Sequence, residues 1–141
     1  MVDPEFLDLL ARPIVAVIAT IGVMDGVQIT PVWTEYVSGH LLLSIAASTQ
    51  KARNIAANRA VGLCYVDPDN HYRYLQVRGQ VTDVSTVAAH EHLDRMSQRY
   101  WGVRPYPGHD YTQERLLVTV SVLSTAGLDS AAPKRLGTGA E

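Results

Sequence analysis

The chain has 141 residues, 47% of them hydrophobic and 18% charged, with a net charge of −2. That is long enough for one domain with its own core and too apolar for disorder, and the near-neutral balance excludes a bulk electrostatic footprint for nucleic acid. The single cysteine, Cys64, forbids an internal disulfide, and no apolar run nears the ~20 residues of a membrane span, so a cytoplasmic protein is expected.

The acidic start Met1-Val2-Asp3-Pro4-Glu5 lacks the basic-then-apolar order of a secretion signal. Phe6, Leu7, Leu9 and Leu10 mark a short helix that Pro13 stops. Ile14 to Ile21 reads as a strand, and Asp25-Gly26 and Ser38-Gly39 are turn signals around the runs Val27 to Val37 and His40 to Ile45. Pro31 has no N–H for a ladder, so its strand must be bulged or lie at an edge. A helix opens near Thr49 and carries Lys51 and Arg53 in its first turn. Strands Ala60 to Asp67 and Tyr72 to Val84 flank the dense turn Asp67-Pro68-Asp69-Asn70. Alternation in the second puts Leu75, Val77, Gly79 and Val81 on one face. Ser85 is placed to cap a helix running to about Tyr100, Trp101 to Gln113 reads as a covering loop, and Glu114 to Ser124 is a last strand. The order predicts a mainly β (α+β) chain, a six-stranded antiparallel barrel with short flanking helices. Residues 1–126 form its domain, and residues 127–141 are expected to be a flexible tail.

Metal chemistry fits the histidine spacing poorly, since His90 and His92 project to different helix faces and no His-x-x-x-His occurs. His90 and Asp94, one helical turn apart, read as a solvated pair. No Gly-x-Ser-x-Gly elbow, dinucleotide fingerprint or Gly-Lys-Ser/Thr loop is present. What remains is the stretch from Ser44 to Arg59. A helix N-terminus has unpaired N–H groups and attracts anions, whereas cations ordinarily favour the last turn. Lys51 and Arg53 sit against that preference, which suits a phosphate; the competing reading is a solvated basic helix start. Gln28 to Trp33, the Lys51 helix and Tyr72 and Tyr74 then either line one slot for a flat heterocycle with an anionic tail or are ordinary core and contact residues.

Taken together, Ile18-Ala19-Thr20-Ile21, Gly26-x-x-x-Thr30-Pro31-Val32-Trp33, Leu42-Leu43-Ser44, Lys51-Ala52-Arg53-Asn54-Ile55, Tyr72-Arg73-Tyr74-Leu75-Gln76-Val77-Arg78-Gly79, Arg99-Tyr100 and Arg115-Leu116-Leu117-Val118 stand in an order that resembles a known family. It is the pyridoxamine-phosphate-oxidase-like, flavin-binding split β-barrels, and within it the branch that uses the deazaflavin coenzyme F420. The resemblance implies a homodimer with cofactor grooves between subunits, a small-molecule substrate, and no catalytic side-chain nucleophile. It implies an F420-dependent oxidoreductase that transfers a hydride from reduced deazaflavin to a conjugated or unsaturated acceptor. Carried over by position, Lys51 and the Ser48-Thr49 turn bind phosphate, assisted by Arg53 and Asn54 unless these lock the helix to the barrel. Gln28, Thr30, Pro31, Val32 and Trp33 face the ring system, Tyr72 lies near the cofactor, and Arg78 or Arg115 meets its acidic tail. Thr49 and Gln50 stand where some relatives have an extra basic residue, which keeps FMN as the alternative cofactor. A non-catalytic flavin- or haem-type binding protein is the contrasting reading.

Overall fold

The computed structural model describes residues 2–24 and 26–130, so Asp25 of the first expected turn and residues 131–141 of the expected tail lie outside the described residues. A 3-10 turn, Pro4–Phe6, runs into helix α1, Leu7–Ala11. Pro4 supplies a preset φ, and Asp3 Oδ1 accepts the Glu5 N–H at 2.9 Å. Seven strands follow: β1 Ala16–Ile21, β2 Val27–Val32, β3 Glu35–Val37, β4 His40–Ala46, β5 Ala60–Val66, β6 Arg73–Ser85 and β7 Arg115–Asp129. Helix α2, Gln50–Ala57, links β4 to β5, and α3, Ala89–Trp101, lies between β6 and β7.

All pairings are antiparallel, in the order β2-β1-β5-β6-β7-β4-β3. The two end strands are consecutive in the chain. In a flat sheet they would stand roughly 29 Å apart at ~4.8 Å per strand. The two residues between them, Trp33 and Thr34, span at most about 11 Å from Val32 to Glu35. The sheet must therefore curl until its ends approach, which makes a barrel split between β2 and β3.

Inward residues of every strand build one core, with Ile18, Leu41, Leu43, Leu75, Val77, Val118 and Val120 fully buried and α1 adding Leu9 and Leu10. The alternation expected in β6 is the observed one, with Leu75, Val77 and Val81 inward and Gln76, Arg78 and Gln80 exposed.

The fold class is the expected one, but the strands number seven rather than six. The expected run Val27 to Val37 is two strands, because Tyr100 of α3 takes over the backbone between them. Its hydroxyl accepts from the Thr34 N–H at 3.1 Å and lies 3.0 Å from the Thr34 carbonyl and 3.2 Å from that of Ile14. Thr34 itself is buried, its Oγ1 2.6 Å from the Tyr65 hydroxyl. Pro31 is accommodated at an edge, without a bulge in the β1–β2 register.

Ser85 is not the cap of α3. It ends β6, its Oγ accepts the Val87 N–H, and α3 starts after Ala88 at φ +63. Trp101, expected in the loop, closes α3. β7 continues to Asp129, five residues past the expected end, paired with β6 as far as Arg73. No helix among the described residues is long and apolar enough to cross a membrane.

Candidate functional site

The main cleft, about 370 Å³, opens where β2, the start of α2, the inner face of α3 and the start of β7 converge. Pro31, Val32 and Trp33 form one side, and Leu93 and Met96 of α3 form the floor. Because β2 is an end strand, its outer backbone edge meets no other strand among the described residues and remains available to a ligand.

The polar end is cationic. Thr49 caps α2, its Oγ1 accepting from the Ala52 N–H at 3.2 Å, and Thr49 and Lys51 both line this end, so the start of α2 borders it. Lys51 and Arg115 both line the cleft. Arg115 arrives from 64 positions away because the β4–β7 ladder sets it opposite Ala46, just before α2. Its Nε donates to Ser44 Oγ and its Nη2 to the Ser44 carbonyl, each at 3.0 Å. Ser44 Oγ in turn donates to the Ala89 carbonyl at 3.0 Å.

Burial, and then the Arg115 charge, hold the Lys51 ammonium below the ordinary lysine range. Burial likewise lowers the Arg115 guanidinium. Neither cation meets a carboxylate among the described residues, unlike Arg12, Arg73 and Arg95, which are all ion-paired. Two half-buried cations beside a helix N-terminus, without a carboxylate partner among the described residues, are a candidate anion site.

The apolar end is aromatic. Trp33 stacks on Tyr100 at 5.2 Å between ring centroids and meets Trp101 edge-on at 4.7 Å. Tyr106, from the loop after α3, stacks on Trp101 at 5.8 Å and also lines the cleft.

Of the expected site residues, the structure brings Pro31, Val32, Trp33, Thr49 and Lys51 together on this cleft. Ser48 is exposed, and its carbonyl accepts from Arg53 Nη1 at 3.1 Å. Arg53 is folded back on its own helix, with Nε and Nη2 on Gln50 Oε1 at 3.2 and 2.9 Å. Asn54 is buried and holds α2 to the barrel, Nδ2 donating to Thr20 Oγ1 at 3.0 Å while Oδ1 accepts from Gln50 Nε2 at 2.7 Å.

Gln28 and Thr30 are half-buried on β2 away from the lining, and Gln28 Oε1 is buried without a partner. Tyr72 lies in the turn before β6, tied to α1 through Arg12–Asp69 and Arg73–Asp8. Arg78 is exposed on the outer face of β6. Within one chain, Tyr72 and Arg78 do not line the cleft.

Sequence reasoning set Arg115 at the cofactor's acidic tail and not beside Lys51, and gave Met96 and Tyr106 no role in the site. The β4–β7 register brings Arg115 to Ser44 and the start of α2, while Met96 and Tyr106 come from α3 and the loop after it. The expected solvated pair His90 and Asp94 is corrected: Asp94 is buried and bonded to His109, and His90 Nδ1 lies 2.7 Å from His109 Nε2.

The family model for pyridoxamine 5'-phosphate oxidase matches residues 2–126. Among solved structures, one named F420 reductase is 31% identical over 89% of this chain and 98% of its own, with a TM-score of 0.81. A conserved hypothetical protein from Mycobacterium tuberculosis is 25% identical, covering 92% of this chain and 85% of its own, with a TM-score of 0.70. A putative pyridoxamine 5'-phosphate oxidase from Listeria innocua shares the fold at a TM-score of 0.68 and 14% identity, over 89% of this chain and 97% of its own. No curated protein matches the chain.

Proposed function

The chain belongs to the pyridoxamine 5'-phosphate oxidase family, and from that premise we propose that it is an F420-dependent oxidoreductase acting on a small conjugated or unsaturated acceptor. The observation that carries the reading is the Lys51–Arg115 pair, two cleft cations without a carboxylate partner among the described residues. A phosphate-bearing cofactor supplies the missing anion. The likeness to a structure named F420 reductase supports deazaflavin.

Lys51, the Arg115 guanidinium and the first-turn N–H groups of α2 hold the phosphate, while Ser44 fixes the Arg115 head. The unpaired edge of β2 at Pro31 to Trp33 faces the ring system. When bound, a reduced deazaflavin supplies a hydride, so the protein needs no nucleophile of its own. The chain orients the cofactor, stacks the acceptor against Trp101 and Tyr106, and excludes water from the apolar floor.

The outer sheet face supports a homodimeric assembly. Val17, Ile21, Val27 and Ile29 are exposed there on neighbouring strands, an apolar surface that water does not favour. Pro31, paired with Val17 and exposed on that side of the sheet, also lines the cleft. A second copy seated on this face would border the cleft and bring outward residues such as Arg78 to its partner's cofactor.

FMN is the second reading. Gln50 and Arg53 satisfy each other, which leaves two cleft cations, enough for a monophosphate.

Titration of purified protein with F420 and with FMN decides among these. Saturable F420 fluorescence polarisation, followed by acceptor-dependent oxidation of the reduced cofactor, supports the proposal. Tighter FMN binding, or a yellow protein as isolated, replaces F420 with FMN. Binding without turnover of any acceptor leaves a carrier. Binding of neither cofactor overturns the family-based reading of the cleft.

A further inference from the structure

Two α3 carboxylates hold the loop 102–114: Glu91 Oε2 accepts from Arg104 Nη2 at 3.2 Å, and Asp94 takes the larger share. Asp94 is 6% exposed and takes hydrogen bonds from three separate points of the loop. These are the Tyr106 N–H at 2.8 Å, His109 Nδ1 at 2.7 Å and the Tyr111 hydroxyl. Burial alone would raise its pKa, but the donors Tyr111, His109 and Tyr106 outweigh it, so Asp94 stays ionised below the usual carboxylate range.

His109 presents Nδ1–H to the ionised Asp94, and its other ring nitrogen, Nε2, lies 2.7 Å from His90 Nδ1. His109 stacks on Tyr111 at 3.7 Å, and Ser97 Oγ donates to the Val103 carbonyl at 2.6 Å, so the whole loop lies against one helix face. The residue whose backbone Asp94 grips, Tyr106, is the one whose ring stacks on Trp101 and lines the cleft.

We propose that Asp94 is a positioning residue for the aromatic wall of the cleft. It does not itself line the cleft. It fixes Tyr106 against Trp101, and so governs how well a planar acceptor is held, a statement that rests on the function proposed above.

The chain's two tryptophans, Trp33 and Trp101, both lie in this wall, so acrylamide quenching of tryptophan fluorescence reads its state without any cofactor. In Asp94→Ala the Stern–Volmer constant should rise about twofold as the loop opens. Asp94→Asn keeps the oxygen that the Tyr106 N–H and His109 Nδ1 share and reverses only the Tyr111 contact, whose hydroxyl would have to accept from Nδ2–H, so it should fall between wild type and Asp94→Ala. With cofactor, Asp94→Ala should raise the acceptor KM about tenfold while the cofactor Kd changes less than about twofold. A merely structural role would weaken both and would not grade through Asn.

If Asp94→Ala does not fold, Tyr111→Phe, which removes one of the three bonds, should still raise quenching above wild type. A folded Asp94→Ala, or a Tyr111→Phe in its place, with wild-type quenching overturns the proposal. So does a KM rise matched by an equal loss of cofactor affinity. If no cofactor binds the wild type, the functional reading fails while the quenching series still decides the role of Asp94.

Discussion

Arg115 donates through Nε to Ser44 Oγ at 3.0 Å, so the guanidinium is oriented by β4 and not by a carboxylate. An arginine held this way keeps its charge available. Charge-assisted hydrogen bonds contribute about 1.5–3 kcal/mol, so Lys51→Ala and Arg115→Ala should each weaken phosphate-cofactor binding about 10- to 150-fold by fluorescence titration. Ser44→Ala, which loosens the guanidinium without removing it, should cost about threefold. Arg53→Ala should stay within about twofold, because its guanidinium is spent on Gln50 and Ser48. Equal losses at Arg53 and Arg115 would move the phosphate to the exposed side of α2.

The lowered Lys51 pKa gives binding and stability opposite responses to alkali. Burial and Arg115 disfavour the charged ammonium in the free protein, so the unfolded chain binds more protons between the two pKa values. Stability of the free protein therefore rises with pH through the lowered Lys51 pKa. Cofactor affinity should fall over the same window as the cation is lost, and Lys51→Arg should abolish that alkaline limb. Affinity that is flat with pH up to the ordinary lysine range would show that the Lys51 charge does not meet the phosphate.

Asn54, an expected cofactor ligand, is expected from its contacts to act on stability. It is buried with both amide atoms bonded, to Thr20 and Gln50. Asn54→Ala leaves the Thr20 hydroxyl and the Gln50 amide without that partner and should cost about 1–3 kcal/mol, measurable by urea unfolding. Cofactor affinity of the folded fraction should change less than about threefold, since Asn54 does not line the cleft. A large affinity loss at unchanged stability would return it to the site.

These cases show what was legible. Period-two patterns reveal strands and their faces, as in β6, because each residue's burial is decided locally. Pro31 correctly marks an edge for the same reason: the missing N–H is a property of that residue alone. The split between β2 and β3 is hidden, since a hydroxyl 66 positions away, on Tyr100, creates it. Lys51 is legible as a cation at a helix start, whereas its neighbour Arg115 is set by strand register across 64 residues. Arg53 looks equivalent to Lys51 along the chain, and only side-chain direction separates the two.

The outer sheet face offers a test of assembly. Val17 and Ile29 are 41% and 64% exposed on paired strands. If a second copy covers them, a charge buried there is costly, and Ile29→Glu should convert a dimer to a monomer in size exclusion with light scattering. Because Pro31 joins this face to the cleft, cofactor affinity should fall with the dimer. A wild-type monomer that still binds cofactor would separate the cleft from any interface.

The last turn of β7 extends the folded unit past its expected end at residue 126. Gly127 pairs with Leu75 and lies beneath the Phe6 ring, where an added Cβ would collide with three ring atoms. Its φ is not in the left-handed region, so the requirement for glycine here is space and not backbone freedom. Phe6 is 7% exposed and belongs to the core with Val2, so it cannot simply swing into solvent. Gly127→Ala should therefore cost about 1–3 kcal/mol by overpacking, a fall in Tm of about 3–10 °C in a chain of this size. Phe6→Leu should recover part of that loss when combined with Gly127→Ala, a coupling that only contacting residues show. Full additivity of the two changes would mean that the N-terminal turn and the end of β7 do not hold each other.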